Sequence, residues 1–219
     1  MGVKEMAAGL QRIVEKIYQA QKTIGYSELV PEKTALVVVD MVKGFVSEGL
    51  LKSPRVEALT PEIRDIMLNC KNLGIQIIAF ADCHAENSPE FDVYGPHCQV
   101  GTSESEVVPE LQAVGGYHLI TKNSSNGFLE PKFQDWLKSN PQVTDFVVVG
   151  DCTDICILQF CLTLKAYFNM LNLKSRVIVP INAVDTFDFD LHHGDLTHVM
   201  ALYNLAQNGI EIIEGFERV

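Results

Sequence analysis

The sequence predicts an α/β fold, a three-layer α/β/α sandwich around a six-stranded, mostly parallel sheet. Three observations carry that prediction. Short β-branched runs recur along the chain, Val37-Val38-Val39 and Val147-Val148-Val149 among them, and continuous apolar runs suit parallel strands covered on both faces. Segments with apolar spacing of three and four residues alternate with those runs, as helices between strands would. No repeat, low-complexity tract or Pro/Gly/Ser linker interrupts the alternation, so one α/β unit accounts for most of the 219 residues.

The elements follow in order. From Val3 to Lys22 the residues Ala7, Leu10, Ile13, Val14 and Ile17 line one face of an amphipathic helix, closed off by Gly25 and Pro31. We read residues 1–25 as a helical extension and 26–219 as the main domain, the helix packing on that domain or on a second subunit. Thr34 to Asp40 is the first strand, Pro61 to Leu73 a helix, and Gly74 to Asp82 the second strand. A polar, irregular stretch runs from Cys83 to about Ser103, and Val107 to Val114 is a short turn or helix. Tyr117 to Lys122, Phe146 to Val149, Lys174 to Ile181 and Ile210 to Ile213 are the remaining strands. Helices are expected over Glu130 to Lys138, from near Cys156 to Phe168, and over His198 to Asn208.

Composition narrows the partners. With 28 acidic and 17 basic residues, a net charge of −11 and no basic run, the chain is unsuited to nucleic acid, whose phosphates need clustered Lys and Arg. No apolar run is long enough to span a bilayer. The N-terminus has no apolar signal core, and Met6 stands where a myristoylation motif after Gly2 needs Ser or Thr. The six cysteines form no C-x-x-C pair, which suits a reduced, cytoplasmic protein with free thiols. Cys70 and Cys161 fall on apolar helical faces and read as core.

Ligands of open α/β sheets sit beyond the carboxyl ends of the strands. Four strands lead there to reactive groups: Asp40, Asp82, Lys122 and the turn before Cys156. The run Gly150-Asp151-Cys152-Thr153-Asp154-Ile155-Cys156 passes from strand to helix, so Cys156 falls at or near a helix N-terminus, where partial positive charge favours a thiolate and free N–H groups can hold an oxyanion. Each residue has a plainer alternative: Asp40 as a helix cap, Lys122 as a solvated strand end, Cys156 as a small core hydrophobe. Together they supply the nucleophile, base and cation of nucleophilic catalysis. In the loop after the second strand, Asp82 and His84 are two apart and point the same way if extended, and Glu90 and His97 return later. One carboxylate and two imidazoles suit Zn²⁺ or Fe²⁺, with a structural zinc or an ordinary polar loop as alternatives. Cys83 alternates away from its neighbours, and it and Cys98 are left out of the ligand set. His192 and His193 resemble a second ligand pair, but adjacent extended residues face opposite ways, which favours a solvated loop.

These blocks, in this order, resemble the isochorismatase-like cysteine hydrolases, and within them the metal-dependent nicotinamidase branch. The matching stretches are Val37 to Phe45, Asp82-Cys83-His84 with Gly95 to Thr102, Thr121-Lys122 with Gly127-Phe128, and Gly150 to Cys156, within a resemblance covering Lys33 to Glu214. The resemblance implies a cysteine amidohydrolase converting nicotinamide to nicotinate through a thioester. In it Cys156 is the nucleophile, Asp40 the proton carrier, and Lys122 the cation that pairs with both. It implies an oxyanion hole from the N–H groups of Cys152 and Cys156, after a cis peptide at Asp151-Cys152. The implied metal ligands are Asp82, His84 and His97, with Glu90 as a fourth in some members; the metal is zinc first, iron or manganese otherwise. Phe45 and Tyr94 match aromatics that sandwich the substrate ring. Ser125 departs from the aromatic found there in many relatives, and Cys83 from a Trp, which leaves open another small amide, such as a carbamoyl or ureido compound. A ligand-binding protein on a retired hydrolase fold is the non-enzymatic alternative. The family also implies a dimer or higher homo-oligomer.

Overall fold

The computed structural model describes residues 2–19 and 22–218. Helix α1 (Val3–Gln19) precedes strand β1 (Thr34–Val39). Two one-turn helices, α2 (Lys43–Val46) and α3 (Pro54–Glu57), lead to α4 (Thr60–Asn72) and β2 (Gln76–Asp82). Next come α5 (Phe91–Tyr94), α6 (Pro109–Val114), β3 (Tyr117–Lys122) and α7 (Pro131–Ser139). Then follow β4 (Asp145–Gly150), α8 (Leu158–Met170), β5 (Arg176–Pro180), α9 (Gly194–Gln207) and β6 (Glu211–Ile213).

The strands form one sheet in the order β3-β2-β1-β4-β5-β6, and every neighbouring pair is parallel. The expected three-layer α/β architecture is therefore present, with a sheet that is wholly rather than mostly parallel. Alternation of side chains along each strand sorts the core into two. Leu36 and Val38 of β1, with Val147 and Val149 of β4, pack under α4 and α6 through Ile63, Ile66, Met67 and Leu111. Val37 and Val39, with Phe146 and Val148, face α7, α8 and α9 through Phe133, Phe160, Leu164 and Leu202. Every residue of β1 is buried, as both-face coverage requires.

Differences from the sequence reading lie at element ends and in the short helices. The first helix is described from Val3 to Gln19; Ala20 and Gln21, next to its expected end at Lys22, lie outside the described residues. Its Ile17 is fully buried in the core beneath α9. Helix α9 begins at Gly194, one turn before the expected His198. The irregular stretch after β2 contains the single turn α5, and α2 and α3 were not expected at all.

The connectivity positions the site. The chain winds from β1 through β2 to β3 on one side, then returns to place β4 on the other side of β1. That reversal opens a crevice between the carboxyl ends of β1 and β4, where ligands of such sheets bind.

Candidate active site

Asp40 follows the last residue of β1, and alternation would send it toward the same face as Leu36 and Val38. Its φ of +54° breaks the extended backbone there, an uncommon conformation for a non-glycine residue. The carboxylate instead meets Lys122 at the end of β3, with Oδ2 2.8 Å from Nζ. It does not cap α2, whose N-cap is Val42. Lys122 is 1% exposed, so it is no solvated strand end. Its Nζ also donates to Asp82 Oδ1 at 2.7 Å and to Cys156 Sγ at 3.7 Å. One buried ammonium thus joins the ends of β1, β2 and β3 to the turn after β4.

That turn is built from two irregularities. The Asp151–Cys152 peptide is cis, and Thr153–Ile157 forms a single π-helical turn ahead of α8. Cys156 therefore lies inside the widened turn rather than at the N-terminus of a regular helix. π-turns of this kind concentrate at functional sites. Gly150 allows the approach: with φ +114°, any Cβ there would lie 2.0 Å from the Val39 carbonyl oxygen. The Cys152 N–H has no hydrogen-bond partner among the described residues. Cys156 itself is half-buried and packed against the core.

Electrostatics set the resting protonation. Burial pushes the Cys156 thiol well above its ordinary value; Lys122 pulls it down, but Asp40, Asp82 and Asp151 push the other way. Burial and the three carboxylates thus oppose the thiolate that Lys122 favours. Asp40 is pushed up to about 6 by burial first and by Asp82, while Lys122 and the Cys156 thiol hold it back. It is a carboxylate at neutral pH, poised to accept a proton. Burial alone would lower Lys122, but Asp40, Cys156 and Asp82 outweigh it and hold the ammonium well above its usual range. These groups interact strongly enough to titrate as a set.

Asp82 reaches in two directions. Oδ1 takes Lys122, while Oδ2 lies 2.8 Å from His84 Nε2 and 3.2 Å from His97 Nε2. The two histidines come from the loop ends brought together by the His84–Gln99 bridge. Asp82, His84 and His97 are the group whose donor atoms converge within 4.8 Å, all buried. His97 Nδ1 donates to the Gly95 carbonyl at 2.8 Å, and His84 Nδ1 lies 3.4 Å from Ser88 Oγ. In neutral His97, Nε2 then carries the lone pair, aimed at a carboxylate. A cation between them resolves that repulsion, so the donor set fits a divalent metal. Burial would raise Asp82, but Lys122, His84 and His97 outweigh it and hold its carboxyl far below the usual range.

Glu90 stands beside this group, not in it. Its Oε2 is 3.8 Å from His84 Nε2, and its Oε1 accepts the Ser125 N–H at 2.8 Å. Phe45 and Tyr94 flank His97, with ring centroids 5.7 Å and 6.2 Å away. Ser125 Oγ bonds to the Gln159 amide. Cys98 is buried, with its thiol directed at the Glu104 carbonyl, and Cys83 donates its N–H to the Lys122 carbonyl. His192 stacks on Phe187, and its Nε2 meets Asp154 Oδ2 at 2.8 Å; His193 caps α9. The two do not act as a ligand pair. Reading the residues did not single out the Asp151 side chain. It is buried, accepts the Cys152 thiol at 3.5 Å, and is held well above the carboxylate range by burial and Asp40.

Comparison with known proteins matches this arrangement to a family. Residues 34–214 match the isochorismatase domain model. Nicotinamidase 1 of Arabidopsis thaliana is 30% identical over 207 residues, covering 81% of this chain and 84% of that protein. The N-carbamoylsarcosine amidase of Thermoplasma acidophilum is 26% identical, with a TM-score of 0.67 over 83% of this chain and 95% of that one. The pyrazinamidase of Pyrococcus horikoshii, solved in complex with zinc, is 24% identical and shares the fold at a TM-score of 0.69, covering 83% and 99%. The match runs from the first residue of β1 to just past β6 and so takes in all six strands and every residue of the buried cluster: the chain belongs to the isochorismatase domain family.

Proposed function

We propose that this protein is a metal-dependent cysteine amidohydrolase that converts nicotinamide and water to nicotinate and ammonia. The observation that carries the reading is Lys122, buried and bonded at once to Asp40, Asp82 and Cys156, with Asp82 turning its other oxygen to two histidines. In this reading Asp40 takes the proton from Cys156 Sγ as the sulfur attacks the amide carbonyl and the S–C bond forms. The backbone N–H groups of Cys152 and Cys156 hold the oxyanion, each worth about 3 kcal/mol of barrier. Asp40 hands its proton to the amide nitrogen, the C–N bond breaks and ammonia leaves. Asp40 then takes a proton from water, which attacks the thioester; the C–S bond breaks and the thiol recovers its proton. Lys122 keeps its charge throughout.

Asp82, His84 and His97 would hold the metal, with Glu90 joining directly or through water. Bound there, a divalent ion supplies a Lewis-acid contact that orients the substrate ring. Zinc is our first assignment on the chemistry of the donors, and the zinc complex of a relative with the same fold supports it. Phe45 and Tyr94 would enclose the ring, and Ser125 with Gln159 the outer rim. Six free thiols support a reducing, cytoplasmic setting. Among the described residues no helix is long and apolar enough to cross a membrane. Assembly into a dimer or higher homo-oligomer belongs to the same reading.

The test is direct. Zinc-loaded protein should release ammonia and nicotinate in equal amounts from nicotinamide. No ammonia from nicotinamide or pyrazinamide, with metal bound, removes this substrate. A second reading, another small amide of carbamoyl or ureido type, is favoured by Ser125 at the rim and by the likeness to an N-carbamoylsarcosine amidase. A panel of such amides decides between them.

A further inference from the structure

The turn that carries Cys156 is held from behind by groups with no part in the chemistry above. Thr153 opens that turn and is fully buried. Its N–H donates to the Asp185 carbonyl at 3.0 Å, and its hydroxyl is hydrogen-bonded to His198 Nδ1 at 2.9 Å. His198 is 4% exposed on α9, and its Nδ1 lies 3.7 Å from Asp185 Oδ1. Burial holds its imidazole below the ordinary value, against the pull of Asp185.

Arg55 of α3 closes the arrangement. Its Nη2 meets Asp185 Oδ1 at 2.7 Å, its Nη1 meets Asp195 Oδ1 at 2.7 Å, and its Nε donates to the Thr186 carbonyl at 2.9 Å. A planar guanidinium can serve three acceptors from fixed directions; an ammonium cannot do so in that geometry. The start of α9 makes room for it: a Cβ on Gly194 would lie 3.2 Å from Arg55 Nε and 2.9 Å from the Phe187 carbonyl oxygen. Two residues before Arg55, the Ser53 N–H donates to the Phe45 carbonyl at 2.8 Å. The Arg55 side chain therefore ties α3 to the stretch after β5 and to α9, and through Asp185 to the turn bearing the sulfur, while the Ser53 backbone anchors the same segment to Phe45.

We propose that His198 and Arg55 are positioning residues: acting through Thr153 and Asp185, they fix the π-turn so that Cys156 Sγ stays within reach of Lys122 and Asp40. The kinetic consequence rests on the amidase reading; the geometric consequence does not. The experiment compares zinc-loaded wild type with Thr153→Val, His198→Leu, His198→Asn and Arg55→Lys. One readout is kcat and KM for whichever amide the wild type hydrolyses. The other is the rate at which iodoacetamide alkylates Cys156, followed by peptide mass spectrometry.

A displaced turn can cost on the order of 100-fold, so Thr153→Val and His198→Leu should lower kcat by about 10- to 100-fold while KM moves less than about 3-fold. Alkylation of Cys156 should slow in parallel, His198→Asn should recover most of both losses, and Arg55→Lys should fall between. Wild-type kcat and alkylation rate in folded Thr153→Val and His198→Leu overturn the proposal, as does a His198→Asn variant no better than His198→Leu. If His198→Leu does not fold, Thr153→Val and Arg55→Lys decide by the same criteria. If the wild type hydrolyses no amide, the amidase reading fails alone, and the alkylation rates still judge the clamp.

Discussion

Asp82 divides one side chain between two tasks, with Oδ1 on Lys122 and Oδ2 on His84 and His97. Asp82→Asn should therefore lose the metal and loosen the lysine together, which metal analysis and the pH–rate profile would read in one variant. Cys156→Ala should lower kcat by on the order of 10⁴-fold or more while the affinity for nicotinamide, read by calorimetry, is retained. The acid limb of kcat/KM should fall near pH 6 with unit slope, because a protonated Asp40 cannot accept the thiol proton. The same raised value has a thermodynamic consequence. Asp40 contributes stability below the ordinary carboxylate range, and that contribution is lost as pH rises through about 6. Asp40→Asn should flatten the pH dependence of Tm over that interval. The identities of these residues could be read in the sequence, because strand ends bearing an acid, a lysine and a cysteine are conspicuous after apolar runs. The upward push on the Cys156 thiol could not, since it depends on the summed effect of burial and three carboxylates that meet only in the fold.

The elements show where local pattern suffices and where it fails. The β-branched cores of β1 and β4 and the spacing of α4, α7 and α8 are strong enough to be read directly. Helix α9 starts earlier than its apolar spacing suggests because Asp195, a poor helix former alone, is held by Arg55, and Gly194 leaves the space that Arg55 needs. The π-turn likewise depends on the Thr153 contacts to Asp185 and His198, which belong to distant segments. The strictest local requirement is at Gly150. Gly150→Ala would drive a Cβ into Val39 and should cost about 3 kcal/mol or more, read as a lower urea midpoint.

At the scale of the molecule, parallel connectivity gathers reactive ends along one edge of the sheet. β1 contributes Asp40, β2 Asp82, β3 Lys122 and the turn after β4 Cys156. A metal bound between β2 and its loop should stabilise the folded chain by mass action. Chelation should lower Tm, and zinc at about 100 times its Kd should restore about 3 kcal/mol without altering the secondary-structure spectrum. The sequence by itself determined the strands, the covering helices and the chemical types at the strand ends. Those follow from periodicity and residue identity within short windows. Only the tertiary structure decided that one buried lysine joins three of those ends. It also decided that Asp40 turns out of its strand, and that Arg55 reaches Asp185 across 130 residues of chain. Such pairings are set by sheet order and packing, and a local pattern carries no record of which distant segment will arrive beside it.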